Sequence, residues 1–400
     1  MSRPKQLHVA MAAACPFPAN RGTPSRVLGM AEALTARGHR VTVVTYHFGL
    51  DSGNGSFEIV RTPRMPYSRF RPGPTLTKLL LLDPLLSLQL MRVVKKKKVD
   101  LIHAHHFEGA LAGFPVRRIR GVPVIYDAHT TLKSELPAYS FLNIRWLAEY
   151  LDRRVPEWAD HVVACSDTLR DIMVGSGVAE EKIDVIPTGV HAVTFESADG
   201  SGVRSRHGLD GRPIVMYTGS LAPFQGVDLL VHAMRKVIDR HPEAVLFLVV
   251  DSRDSRIMKA CDELGIRKNV ILEAVRDFEA VPRYLAAADI AVSPRTDCAG
   301  FPQKIANYMA AGKAIVCFEG SAKLITHEQN GLIASGSDPE ALAGAIIRLL
   351  EESDLRKRLG VNAKETLRGN LDWACLGARL EETYYRLLNH HERGTDGDAV

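Results

Sequence analysis

The sequence holds six cysteines, at 15, 165, 261, 298, 317 and 375, and no CxxC pair. That spacing excludes a disulfide scaffold and a structural zinc site, and it fits a reducing compartment. Aromatic residues are only 6% of the chain. They form no basic-aromatic pattern of a nucleic-acid module, so no nucleic-acid partner is expected. No long apolar run is present either. The best candidate, residues 76–94, is interrupted by Lys78, Asp83, Pro84 and Arg92, whereas a membrane span needs about 20 consecutive apolar residues. The first six residues are short, polar and basic, and a strand-like run follows them rather than a signal-peptide core. G-x-G-x-x-G and a P-loop lysine are missing, which removes support from dinucleotide and ATP readings.

What is present reads as an ordinary globular chain, with 46% hydrophobic and 24% charged residues over 400 positions. That length suits two domains of about 200 residues each. The net charge of +5 is uneven: residues 1–195 carry 25 Lys/Arg against 17 Asp/Glu, and residues 196–400 carry 26 against 29. A mildly basic first half suggests an anionic surface or ligand.

Short β-rich runs alternate with helical patterns along most of the chain, the signature of α/β architecture with parallel sheets. Strands are predicted at 7–13, 41–46, 101–105, 124–127, 161–165 and 183–186, then at 214–218, 245–250, 270–273, 290–294 and 314–316. Helices are predicted from Thr23 and Pro24 to Gly38, and at 227–239, 252–264, 279–287, 302–311, 339–352 and 371–388. The pattern implies two doubly wound domains: 1–190, a linker over 191–212 rich in Gly, Ser and Asp, and 213–370. A C-terminal helix over 371–390 packs back toward the first domain, and 391–400 is a frayed tail. Ligands of such sheets bind at the carboxyl ends of the strands, which draws attention to the loops at 15–26, 105–108, 129–131, 219–225 and 295–304.

Four segments carry a resemblance: DLIHAHHFEGALAG (100–113), ADHVVACSDTLRDIMVGSGVAEEKIDVIPTGV (159–190), YTGSLAPFQGVDLLVHAM (217–234) and GFPQKIANYMAAGKAIV (300–316). In order and spacing the chain resembles the retaining glycosyltransferases of family 4. The resemblance implies the GT-B fold, two Rossmann-like domains facing a central cleft, with the acceptor on the first domain and a nucleotide-sugar donor on the second. Gly300, Phe301 and Pro302 open a helix whose free N–H groups suit a diphosphate, and Lys304 adds charge. Several family positions are altered. Two glutamates eight apart are usual in this motif, and here they read Ala299 and Asn307; Asn307 still offers hydrogen bonds to ribose. The arginine and lysine usual after the first strand of the second domain, following Gly219, read Ser220 and Gln225. Two lost hydrogen bonds to charge amount to about 3–6 kcal/mol, roughly two to four decades of affinity, unless Arg295, Lys304 and Arg253 replace them.

On the first domain, the resemblance places His129 near the reacting sugar, as the catalytic-site residue. Arg21, Gly22, Arg26, His105 and Glu108 are acceptor-side candidates. His103 and His105 share a strand face while His106 points away, and no fourth ligand follows at metal spacing, so no metal is expected. Residues 67–98 leave two readings open: a lipid-facing surface, from leucines beside the lysines at 95–98, and a covering helix with lysines in its last turn.

The reading is thus a cytoplasmic enzyme, with a peripheral position on the inner membrane face left open, that moves a sugar with retention from a nucleotide-diphosphate donor to a glycan or glycolipid hydroxyl. It needs no cofactor beyond the nucleotide-sugar co-substrate. A non-catalytic or partner-dependent nucleotide-sugar-binding subunit and a nucleotide-sugar epimerase stay open as alternatives.

Overall fold

The computed structural model describes residues 5–397 apart from 20–21, 50–54, 66–74, 76, 135–144, 251–253, 276–279 and 299–300. It divides into two compact units. Unit 1 is Met1–Thr188 with Ala299–Phe301 and Trp373–Val400; unit 2 is Gly189–Cys298 with Pro302–Asp372.

Unit 1 runs β1 (His8–Ala13), α1 (Gly22–Ala36), β2 (Arg40–Thr45), β3 (Glu58–Arg61), α2 (Asp83–Lys97), β4 (Leu101–His105), α3 (His106–Arg120), β5 (Val124–Ala128), α4 (Arg145–Trp158), β6 (His161–Ala164), α5 (Asp167–Gly175) and β7 (Ile183–Val185). Its seven strands are ordered β3-β2-β1-β4-β5-β6-β7, all parallel. Parallel strands covered on both faces must be apolar throughout, and every residue of β1, His8 included, is buried.

Unit 2 contains α6 (Ala192–Glu196), α7 (Ser201–His207), β8 (Ile214–Gly219), α8 (Val227–Arg240), β9 (Val245–Val250), α9 (Ser255–Glu263), β10 (Val270–Ala274), α10 (Val281–Ala287), β11 (Ile290–Ser293), α11 (Gln303–Ala310), β12 (Ala314–Phe318), β13 (Leu332–Ala334), α12 (Pro339–Glu351) and α13 (Ser353–Arg368). Its sheet is ordered β10-β9-β8-β11-β12-β13. Helix α8 buries Val227, Leu230, Val231, Met234, Val237 and Ile238, the i, i+3, i+4 stripe that lays a helix on a sheet. Strand order reverses between β1 and β4 in unit 1 and between β8 and β11 in unit 2. At such switch points the loops part and leave room for a ligand.

Three features differ from the sequence reading. The edge strands β3 and β13 are only four and three residues long, too short for a period to show. Residues 191–212, expected as a linker, hold α6 and α7, which pack on α10 and α11 of unit 2. The tail expected to fray from 391 continues a single helix, α14 (Trp373–Gly397), which lies against α1. Gly29 makes that contact possible, because a Cβ there would stand 2.0 Å from the Trp373 ring nitrogen. The leucine-rich stretch becomes a π-helical turn, Lys78–Leu82, leading into α2. Helix α2 buries Leu86, Leu90, Val93 and Val94 and carries Lys95, Lys96 and Lys97 in its last turn. Among the described residues no helix is long and apolar enough to cross a membrane.

Candidate functional site

At the switch point of unit 1, α1 and the ends of β4 and β5 meet around one carboxylate. Arg26 Nε and Nη2 donate to Asp127 Oδ2 and Oδ1 at 2.8 and 2.7 Å. The same guanidinium reaches the Ile186 carbonyl at 2.8 Å and Thr188 Oγ1 at 3.2 Å. Asp127 Oδ2 also faces His105 Nδ1 at 2.8 Å and His129 Nε2 at 2.9 Å. Arg26 and Asp127 are 1% and 0% exposed. Burial works to raise the Asp127 pKa, but the Arg26 charge and the surrounding donors hold it well below the usual carboxylate range.

This corrects the acceptor-side reading of Arg26 and His105. Arg26 sits too deep to contact a ligand, and its fixed charge is spent on Asp127. His105 is fully buried, and burial pushes it down to about 3, so it is neutral. Glu108 is also buried: it accepts from Lys78 Nζ at 2.5 Å and faces His106 Nδ1 at 3.2 Å. Burial acts to raise its pKa, yet those two partners leave it near 2. His129 is 11% exposed and lies at the open end of the cluster, while Gly22 is exposed where α1 begins. Arg21 lies outside the described residues.

The strand-face argument correctly put His103 and His105 together. It missed Asp127, which arrives from the neighbouring strand β5. Donor atoms of these three residues come within 4.8 Å of one another, and among the described residues the Nε2 atoms of His103 and His105 have no hydrogen-bond partner. Yet Arg26 already occupies both Asp127 oxygens, and its charge opposes a second cation beside them.

Unit 2 has a different arrangement at its own switch point. Strand β8 ends at Gly219, with φ of +130°, and a Cβ there would stand 3.2 Å from Lys304 Nζ. Glycine therefore leaves the path along which Lys304 reaches across from α11. Its Nζ donates to Gln225 Oε1 at 2.9 Å and stands 4.0 Å from the centroid of the Tyr217 ring. Burial, helped by the nearby Arg295 charge, lowers its pKa to about 7. Arg295 donates from Nε to the Asp297 carbonyl and lies over the exposed Phe224 ring, 5.2 Å from its centroid. Ser220 turns inward: its Oγ accepts from Ala222 N at 3.1 Å, and its carbonyl accepts from Tyr217 Oη at 2.5 Å.

Helix α11 starts after Pro302 without a side-chain cap, unlike α5, α9 and α12, capped by Ser166, Asp254 and Asp338. Among the described residues its first-turn N–H groups have no side-chain acceptor. Asn307 is buried, and its Oδ1 accepts from Gln303 Nε2 at 3.3 Å; Gln303 was not singled out from sequence. Phe301 packs against the unit 1 core. Ala299, Gly300 and Arg253 lie outside the described residues.

The Lys304–Gln225 contact spans 79 positions, so no local pattern reveals it. It ties the α11 ammonium to the uncharged residue at 225.

Comparison with known proteins agrees with this architecture. The family model described as Glycosyltransferase Family 4 matches residues 21–193, and the model Glycosyl transferases group 1 matches residues 212–352. A D-inositol 3-phosphate glycosyltransferase of Corynebacterium glutamicum is 25% identical over 315 residues, covering 74% of each chain. An uncharacterised glycosyltransferase of Methanocaldococcus jannaschii is 23% identical over 376 residues, 89% of this chain and 92% of that one. Sucrose-phosphate synthase from Thermosynechococcus elongatus is structurally similar, with a TM-score of 0.80 at 21% identity over 96% of this chain and all of the other. Anabaena HepE, solved with UDP and glucose, gives 0.76 at 19% identity, covering 95% of this chain and 100% of its own. With two doubly wound units and both halves matched in order, the chain belongs to the family 4 glycosyltransferases and has the GT-B fold.

Proposed function

We propose that this glycosyltransferase moves a sugar, with retention, from a nucleotide-diphosphate donor to a hydroxyl of a glycan or glycolipid. The carrying observation is Lys304, a half-buried cation with no carboxylate partner among the described residues, set beside Arg295 and an uncapped helix start. That set of donors suits a diphosphate. Gly219 keeps the approach open, Gln225 orients the ammonium, and the helix that follows Pro302 offers its N–H groups, with Phe301 and Gly300 as the donor-side residues that precede it in sequence. Asn307 serves the ribose in place of the usual glutamate.

On unit 1, His129 contributes at the reacting sugar. The bond from the anomeric carbon to the diphosphate oxygen breaks as the acceptor oxygen bonds to the same face. The acceptor proton passes to the departing diphosphate oxygen. The protein then needs positioning and charge stabilisation rather than a strong base. The leucine-rich stretch ahead of α2, with the lysines at its end, gives the lipid-linked form of the acceptor and a peripheral membrane contact their support.

The test is a panel of nucleotide sugars offered to the purified protein, with binding heat and nucleotide release measured with and without acceptor extracts. Turnover with one donor supports the reading. Absence of both binding and release across the panel overturns it.

A further inference from the structure

We propose that Asp127 is a positioning residue for His129, fixing its ring as the neutral tautomer that carries hydrogen on Nε2 and a lone pair on Nδ1. The proposal deepens the reading of His129 as the residue at the reacting sugar, and it rests on that reading.

An ionised carboxylate only accepts hydrogen bonds. Asp127 is fully buried, and Arg26 donates to both of its oxygens. Any ring nitrogen within hydrogen-bond distance of Asp127 must therefore carry a hydrogen. His129 Nε2 stands 2.9 Å from Oδ2 and His105 Nδ1 stands 2.8 Å from it. For His129 this leaves Nδ1 as the acceptor, and Thr23 Oγ1 lies 3.3 Å from it, so the threonine hydroxyl is the donor of that pair. The main chain is held as well, since Cys165 Sγ donates to the His129 carbonyl at 3.2 Å.

A second proton on the ring would have no carboxylate to meet it. The groups around His129 are Asp127, already satisfied by Arg26, the His105 and His106 rings with centroids at 5.7 and 5.4 Å, and Thr23. The nearby Glu108 is engaged by Lys78 and His106. Burial lowers the His129 pKa despite the Asp127 charge, in keeping with a neutral ring.

The consequence is directional. Nδ1 can take a hydrogen bond from a sugar hydroxyl but cannot give one. Thr23, at the long end of hydrogen-bond range, holds that lone pair until a hydroxyl replaces it. His129 thus selects and orients a hydroxyl donor rather than neutralising an oxyanion.

The direct test is the nitrogen NMR spectrum of the full chain with 15N-labelled histidine at pH 7.5, the His129 signals being identified by their loss in His129→Gln. A protonated Nε2 with an unprotonated Nδ1 is expected; Nδ1–H or imidazolium overturns the proposal. Asp127→Asn, which can turn an amide N–H toward the ring, is expected to move the hydrogen to Nδ1. It should cut kcat about a hundredfold or more and raise the donor KM, because the hydroxyl contact forms already in the bound sugar. Unchanged kcat in a folded Asp127→Asn overturns the proposal, and if that variant does not fold, the wild-type tautomer decides alone. If no nucleotide sugar is turned over by the wild type, the transfer reading fails. If turnover is present but the tautomer is wrong, only the role of Asp127 fails.

Discussion

At the carboxyl edge of the unit 1 sheet the charged side chains are answered from within. Arg26 is matched by Asp127, Lys78 by Glu108, and Tyr46 donates to Asp83. At the same edge of unit 2, Lys304 has an amide and an aromatic ring, and Arg295 has a backbone carbonyl and the Phe224 ring. Neither forms an ion pair with a carboxylate among the described residues. The half of the sequence with surplus basic residues thus neutralises itself at this edge, and the half with surplus acid keeps there positive charge unmatched by any described carboxylate. Net charge by domain locates neither: what matters is which charges lack an internal partner.

If that contrast is right, damage to the unit 1 cluster should appear first as lost stability and damage to the unit 2 cluster as lost binding. The largest effect is expected from Arg26→Met, which strands a buried carboxylate. Breaking one side of such a pair costs about 3–5 kcal/mol, and denaturant titration should show it. Lys304→Met should leave the unfolding curve in place and weaken nucleotide-sugar binding about ten- to a hundredfold by calorimetry, the worth of a hydrogen bond to charge. Equal loss of stability in both variants would erase the distinction.

Two pH experiments sharpen it further. With Lys304 near 7 in the free protein, a diphosphate selects its protonated form. Affinity for a nucleotide sugar should hold up to pH 6 and fall about tenfold by pH 8, and this dependence should vanish in Lys304→Met. The second concerns Asp83. Burial first, then the Glu108 charge, raises its pKa from 3.8 to about 7. Between those values the folded chain holds a proton that the unfolded chain has released. This contribution to stability is complete below pH 3.8 and is lost as pH rises through 7. Asp83→Asn should flatten that part of the melting-temperature profile without touching donor affinity.

Much of the fold was legible because buried parallel strands must be apolar along their whole length: β1 and β9 announce themselves as HVAMAA and VLFLVV. The edge strands β3 and β13 were not, since three or four residues carry no periodicity. The short helices α6 and α7 were hidden for another reason. Their stability comes from packing on α10 and α11, and nothing in SGVRSRH reports a neighbour some 80 positions away. The site divides similarly. His129 and Lys304 stand in recognisable motifs, so they could be named in advance. Arg26 was misread because its proximity to Gly22 suggested a ligand loop, while its partner lies 101 residues on. Lys304 was named in advance among the cations near the altered positions, but its contact with Gln225, 79 positions away, was not legible.

Helix α14 has a consequence for how the chain is made. Tyr384 shares a hydrogen bond with His103 at 2.9 Å, between two fully buried side chains, and Trp373 fills the space beside Gly29. Unit 2 is complete once residue 372 has left the ribosome, whereas unit 1, begun first, waits for its last helix. Domains usually mature in the order of synthesis. Here the order is inverted: unit 1 needs the segment from Trp373 onward to cover His103 and β4, although most of it is made before unit 2.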